Sequence, residues 1–163
     1  MTPARLTRST AHLMPACSMK IIVYGIPGPQ GSKKLVGRDR KGRGILVESS
    51  AKVKPWREAV KWAALEAARL AGWNGIINGP VACDMTFTLP KPKSAPKRRV
   101  TFPDRKPDLS KLVRSTEDAL TEAGVWADDA RVIACHAFKR YPGEGIDALD
   151  SPGAVIEIWE VKG

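Results

Sequence analysis

The sequence predicts one compact α/β (α+β) domain, with a mixed β-sheet of about four to six strands and two main helices. Three observations predict it. Short β-branched runs end repeatedly at Gly or Pro. Two longer segments place apolar residues at steps of three and four, the helical period. The two kinds of segment alternate in the order strand, hairpin, helix, strand, helix, strand, strand. A length of 163 residues suits a single domain with an ordinary core.

The basic, Ser/Thr-rich residues 1–18 lack the apolar run of a signal peptide and read as a disordered extension. The folded domain is expected over residues 19–163, with Met19 a second candidate start. Lys20–Tyr24 is a short β-branched strand stopped by Gly25. The loop from Gly25 to Lys34 is rich in glycine and carries Lys33 and Lys34. It has no Gly-Lys-Ser/Thr ending, so a nucleotide-binding P-loop and a nucleotide cofactor are not expected. Lys34–Gly37 and Gly44–Glu48 form a hairpin around the basic tip Arg38–Arg43.

Trp56, Val60, Ala63, Ala67 and Leu70 share one face of the first helix, with Pro55 in its first turn and Gly72 at its stop. Trp56 on that stripe is expected in the core, whereas the stripe leaves Trp62 undetermined. Pro80–Leu89 reads as a strand that Pro90 ends. The loop Lys91–Lys106 carries three prolines and no periodicity, and is expected to be mobile without a ligand. The second helix starts at Asp108, a suitable N-cap, and buries Leu109, Leu112, Val113, Thr116, Leu120 and Ala123. Asp108, Lys111, Ser115, Asp118 and Glu122 fall on an opposite polar stripe, and Gly124 ends the helix. Arg131–Phe138 and Ala154–Val161 are the last strands, joined by a Gly/Pro/Asp-rich loop.

Lys and Arg outnumber Asp and Glu by 27 to 17, a net charge of +10. That surplus favours a polyanionic partner such as nucleic acid, although charge alone also suits a merely basic soluble protein. Cys17, Cys83 and Cys135 are odd in number and include no Cys-x-x-Cys pair. This argues against a disulfide framework and against a zinc knuckle, and a reducing cytoplasm is the expected setting. No run reaches the roughly 18 apolar residues that would suggest a membrane span. His12 falls in the tail and His136 stands alone on a strand, so neither suggests catalysis.

The chemistry concentrates in one region. Lys91, Lys93, Lys97, Arg98, Arg99, Arg105 and Lys106 run into Asp108, and Asp118 and the pair Asp128-Asp129 follow. With Lys33 and Lys34, these cations are candidate contacts to a DNA backbone. Carboxylates are the usual ligands of a hard divalent cation, which activates water and neutralises phosphate charge. Each carboxylate also has a plain reading: Asp108 as N-cap, Asp128-Asp129 as a turn, and Asp118 as a surface partner of Arg114. Spacing alone leaves both sets open.

The run Lys106-Pro-Asp108-Leu-Ser110-Lys-Leu-Val-Arg114-Ser-Thr-Glu-Asp118-Ala-Leu120, then Gly124-Val-Trp-Ala-Asp128-Asp129, resembles the RusA family of Holliday junction resolvases. The Gly25 loop and Lys139-Arg140-Tyr141 are similar to family elements too. The likeness extends from about Met19 to Val161, its specific part lying within residues 106 to 141. The resemblance implies a homodimeric, Mg²⁺-dependent endonuclease of phages and prophages, with Mn²⁺ as a substitute, that acts on branched DNA, above all four-way junctions. It implies metal ligands at Asp108, Asp128 and Asp129, with Asp118 matching the acid of the family's Asp-Ala-Leu element. Asp108 and Asp129 match essential acids. Arg114 stands where the family has a catalytic lysine, and so would stabilise phosphate charge.

Two positions depart from the pattern. Ser110 replaces a second aspartate, and Lys111 replaces an asparagine. A serine can hold a metal-bound water but brings no charge. Two other readings therefore stand beside the resolvase: a non-catalytic nucleic-acid-binding protein with a degraded metal site, and a nuclease of broader taste for flaps and forks.

Overall fold

The computed structural model describes residues 18–31, 33–48 and 50–163. The expected extension, residues 1–18, lies outside them except for Ser18. The elements are β1 (Ser18–Tyr24), β2 (Lys33–Arg38), β3 (Gly44–Glu48), α1 (Val53–Leu70), β4 (Val81–Thr88), α2 (Leu109–Glu122), a 3-10 turn (Asp129–Arg131), β5 (Val132–Arg140) and β6 (Gly153–Glu160). Four strands form one mixed sheet in the order β1-β6-β4-β5, and β2 and β3 pair as a separate hairpin. β4 is antiparallel to β6 and parallel to β5. This is the α+β architecture expected.

Local sequence explains most of the elements. β1 alternates, with Met19, Ile21 and Val23 buried and the residues between them exposed. β4 is buried at every position but Asp84: Val81, Cys83, Met85 and Phe87 face the core, and the small Ala82, Thr86 and Thr88 lie between neighbouring strands inside the sheet. That is why its sequence alternates so poorly. Both helices end in the same way. Gly72 and Gly124 adopt φ of +62° and +73°, and the next N–H reaches back to Ala68 and Leu120 respectively.

The helices lock together through polar atoms inside the core. Trp56 is buried, as expected, and its Nε1 donates to Thr116 Oγ1 at 3.1 Å. The Thr116 hydroxyl in turn donates to the Leu112 carbonyl at 2.8 Å. Trp62 is exposed. The polar stripe predicted on α2 fails at Ser115, which is fully buried. Its hydroxyl lies 2.6 Å from the Gly28 carbonyl, a partner 87 residues away that helical spacing does not reveal.

One topological feature positions the site. β4, α2 and β5 form a parallel strand–helix–strand unit, so α2 runs opposite to both strands. Its N-terminus sits at the strands' carboxyl ends and its C-terminus at their amino ends. Lys139, near the end of β5, donates through Nζ to the carbonyls of Arg105 at 2.8 Å and Pro107 at 3.0 Å. The turn bearing Asp129 leads directly into the first residue of β5.

Candidate active site

Asp108 occupies the N-cap position in an extended conformation, φ −67° and ψ 133°. Its carbonyl accepts from the Lys111 and Leu112 N–H groups. Its carboxylate makes no capping hydrogen bond. It forms an ion pair with Lys111 Nζ at 3.7 Å, and both side chains are about half exposed. The plain N-cap reading thus holds for the backbone, while the side chain remains available to an outside partner.

The glycine loop after β1 forms the opposite wall. Gln30 N–H donates to the Lys111 carbonyl at 2.9 Å, beside the Ser115–Gly28 bond. The result is a groove in which Asp108, Lys111, Arg105, Lys106 and Lys52 face Pro27 and Gln30. Positive charge therefore surrounds the Asp108 carboxylate.

The other predicted cations are placed differently. Lys93, Lys97, Arg98 and Arg99 are exposed along the loop, and Lys33 and Lys34 are exposed at the start of β2. Lys91 is half-buried and ion-paired with Glu144, whose second oxygen accepts from the Thr101 N–H at 3.2 Å. The loop expected to be mobile is thus tied down at Lys91 and Thr101, and again by Lys139 near its end. The signal missed in the sequence is Glu144, in a segment read as plain loop.

A second groove runs between α2 and β5. Ser110, Val113, Arg114 and Glu117 line it from the helix, and Asp129 and Cys135 from the other side. Asp128 Oδ1 accepts from the Ala130 N–H at 2.7 Å, so the turn reading describes what this side chain does. Desolvation, then the hydrogen bond and charge of Asp128, then the charge of Asp118 hold the Asp129 carboxyl above the usual carboxylate range. Burial, then Asp129 and Asp118, push Glu117 up in the same way, with Arg114 opposing. Asp118 does not pair with Arg114. It lies 3.8 Å from Nη1 of Arg57, on α1, and the same guanidinium pairs with Glu122. Glu117 was absent from the sequence-based candidates. Its seven-residue step from Ser110 and three-residue step from Arg114 put all three on one helix face, which was the available signal.

The predicted residues therefore form two groups. Asp108 lies at the start of α2, and Asp129, Asp128, Asp118 and Glu117 gather at its far end. Asp129 interacts with Glu117 and Asp118, which follow Asp108 by nine and ten residues, so the groups lie about 14 Å apart along the helix at the usual rise. Among the described residues, no three carboxyl, imidazole or thiol side chains converge on a point where they could share a cation. The donor chemistry at the Asp129 end nevertheless fits a hard divalent ion. It offers carboxylate oxygens whose mutual repulsion a cation would relieve. Cys83 and Cys135, in register on β4 and β5, are free thiols. His136 lies outside both grooves with Nδ1 3.0 Å from Asp84 Oδ1.

A basic groove and a carboxylate cluster lie along one helix, groups that suit contact with a phosphate backbone. The family model for endodeoxyribonuclease RusA matches residues 27–148, three quarters of the chain. The chain belongs to the RusA family of endodeoxyribonucleases, the Holliday junction resolvases. No curated protein matches it by sequence. No helix among the described residues is long and apolar enough to cross a membrane.

Proposed function

We propose that this chain is a Mg²⁺-dependent resolvase of four-way DNA junctions, with Mn²⁺ able to substitute. It acts as a homodimer in recombination or phage DNA processing, in the bacterial cytoplasm. The observation that carries this reading is the placement of the two acidic groups at opposite ends of α2, in a chain that belongs to the RusA family. A Mg²⁺ ion holds its oxygens at about 2.1 Å. Asp108 does not converge with Asp129 and Glu117 of its own protomer, lying about 14 Å from Glu117 along the helix. A two-fold dimer solves this, because an isologous interface brings each surface against its complement twice. Each active centre then combines the Asp108 end of one protomer with the Asp129 end of its partner. The two centres match the two symmetric cuts that resolution of a junction requires.

The bound cation supplies an activated water and neutralises charge on the phosphate. The chain's own residues do the rest. Asp108 and Asp129 hold the cation. Asp128 and Asp118 surround Asp129 with negative charge and keep its affinity for cations high. Arg114 faces the groove and holds the phosphate oxygens as their charge grows, since a guanidinium cannot serve as an acid near neutral pH. Ser110 offers a hydroxyl to an ordered water in the same groove. Arg105 and Lys106 hold the backbone beside Asp108, and Lys93, Lys97, Arg98 and Arg99, with Lys33 and Lys34, extend the contact. Lys91, paired with Glu144, shapes the loop.

A second reading, a junction-binding protein without cleavage, is favoured by the neutral Ser110 and by the absence of three converging ligands among the described residues. The test uses a labelled four-way junction, with flap and linear duplex as competitors, in Mg²⁺ and in Mn²⁺. Symmetric cleavage of the junction that Asp129→Asn abolishes supports the resolvase. Binding without cleavage in either metal supports the second reading. Equal cleavage of flaps would make the enzyme a broader nuclease.

A further inference from the structure

The carboxylates at the far end of α2 differ in what they already do. Asp128 is engaged with the Ala130 N–H and is not on the groove wall. Asp118 faces Arg57. Glu117 is half-buried on the groove wall between Arg114 and Asp129. No hydrogen bond or ion pair engages its carboxylate among the described residues. A carboxylate withdrawn from water without a partner is unfavourable, and a second carboxylate opposite it makes matters worse. Arg114, on the same wall, offsets this only at a distance, since no ion pair forms between them. A helix surface offers easier places for a glutamate. One held here, across a groove from Asp129, makes sense if a cation comes to lie between the two.

We infer that Glu117 is the second carboxylate ligand at the Asp129 end, holding the divalent cation directly with Asp129, while Asp128 and Asp118 position the cluster. The inference rests on the reading that this end binds the metal. A hard cation of this kind is commonly held by one or two carboxylates plus waters, so the pair suffices for this half of the site. Ser110, about 10 Å along the same helix face, then needs no charge of its own for that half.

The test is Mn²⁺ binding to the full-length protein, followed by calorimetry and by water-proton relaxation, with no DNA present. Glu117→Gln keeps the size of the side chain and removes its charge. It should weaken Mn²⁺ binding by about tenfold or more. The remaining bound Mn²⁺ should relax water protons faster, because a water takes the place of the lost carboxylate. Asp118→Asn should leave that relaxation unchanged. Without metal, Glu117→Gln should melt at or above the wild-type temperature, which excludes damage to the fold as the cause. Wild-type affinity and relaxation in Glu117→Gln, with binding lost in Asp129→Asn, would overturn this inference and leave the site reading standing. Wild-type binding in Asp129→Asn would overturn both.

Discussion

Gly28→Ala probes the contact that holds the glycine loop against the two helices. A Cβ at this position would meet the Lys52 carbonyl group at the start of α1, and would lie 2.9 Å from the Trp56 Cβ. The Lys52 obstacle is backbone and cannot rotate away. The loop must therefore lift, and the Ser115 hydroxyl loses the Gly28 carbonyl now 2.6 Å away. Overpacking of this kind costs about 1–3 kcal/mol, and the broken buried hydrogen bond adds about 1 kcal/mol. The sum is about 2–4 kcal/mol, which lowers the melting temperature of a domain this size by roughly 5–15 °C. Circular dichroism during a thermal scan measures it directly. Because the same loop walls the Asp108 groove, junction affinity should fall even at temperatures where the variant stays folded. A variant that melts within about 2 °C of wild type would refute the packing argument.

Three further outcomes follow from the charges and thiols. Asp129→Asn should raise the metal-free melting temperature by about 1 °C at neutral pH, a modest gain because the group is exposed and screened. Its folded-state affinity for protons is raised, so wild-type stability falls as pH rises through that range, and the gap between the two proteins should close in acid. Glu144→Gln should speed amide hydrogen exchange over residues 91–101 at neutral pH. Lys91 and then the Thr101 N–H hold Glu144 below the usual carboxylate range, so the anchor is present above that range and lost as pH falls through the lowered value. The two proteins should therefore exchange alike in strong acid. Of the two described cysteines, Cys135 should react first with iodoacetamide, as read by mass spectrometry. Cys83 is buried with its thiol pushed up, and its hydrogen bond to Cys135 lowers Cys135 on the groove wall.

The sequence made the secondary structure legible where periodicity is local. The α2 stripe, the glycine stops and the core position of Trp56 all emerge from spacing within one element. Ser115 was placed on the wrong face because its partner, Gly28, is brought near only by the fold. Glu144 was invisible for the same reason: its role depends on Lys91 and Thr101, which lie far from it in sequence. The acidic residues were recognised by their order along the chain, but order does not give proximity. The nine residues from Asp108 to Glu117 span about 14 Å of helix, and only the fold sets Asp129 across a groove from Glu117. Glu117 lay hidden between two motif residues, Arg114 and Asp118, and only the groove shows what it faces.

The proposed active centre draws on two protomers. Mixing Asp108→Asn and Asp129→Asn chains, each inactive alone, tests it most directly. In a mixed dimer, one centre carries both substitutions and the other carries neither. Subunit exchange between equal amounts should therefore restore junction nicking, at about a quarter of the wild-type number of intact centres for random pairing of the two chains. Restored nicking in the mixture, absent from either variant alone, is the predicted result. A mixture as inactive as its components, with heterodimers verified by mass spectrometry, would contradict the account.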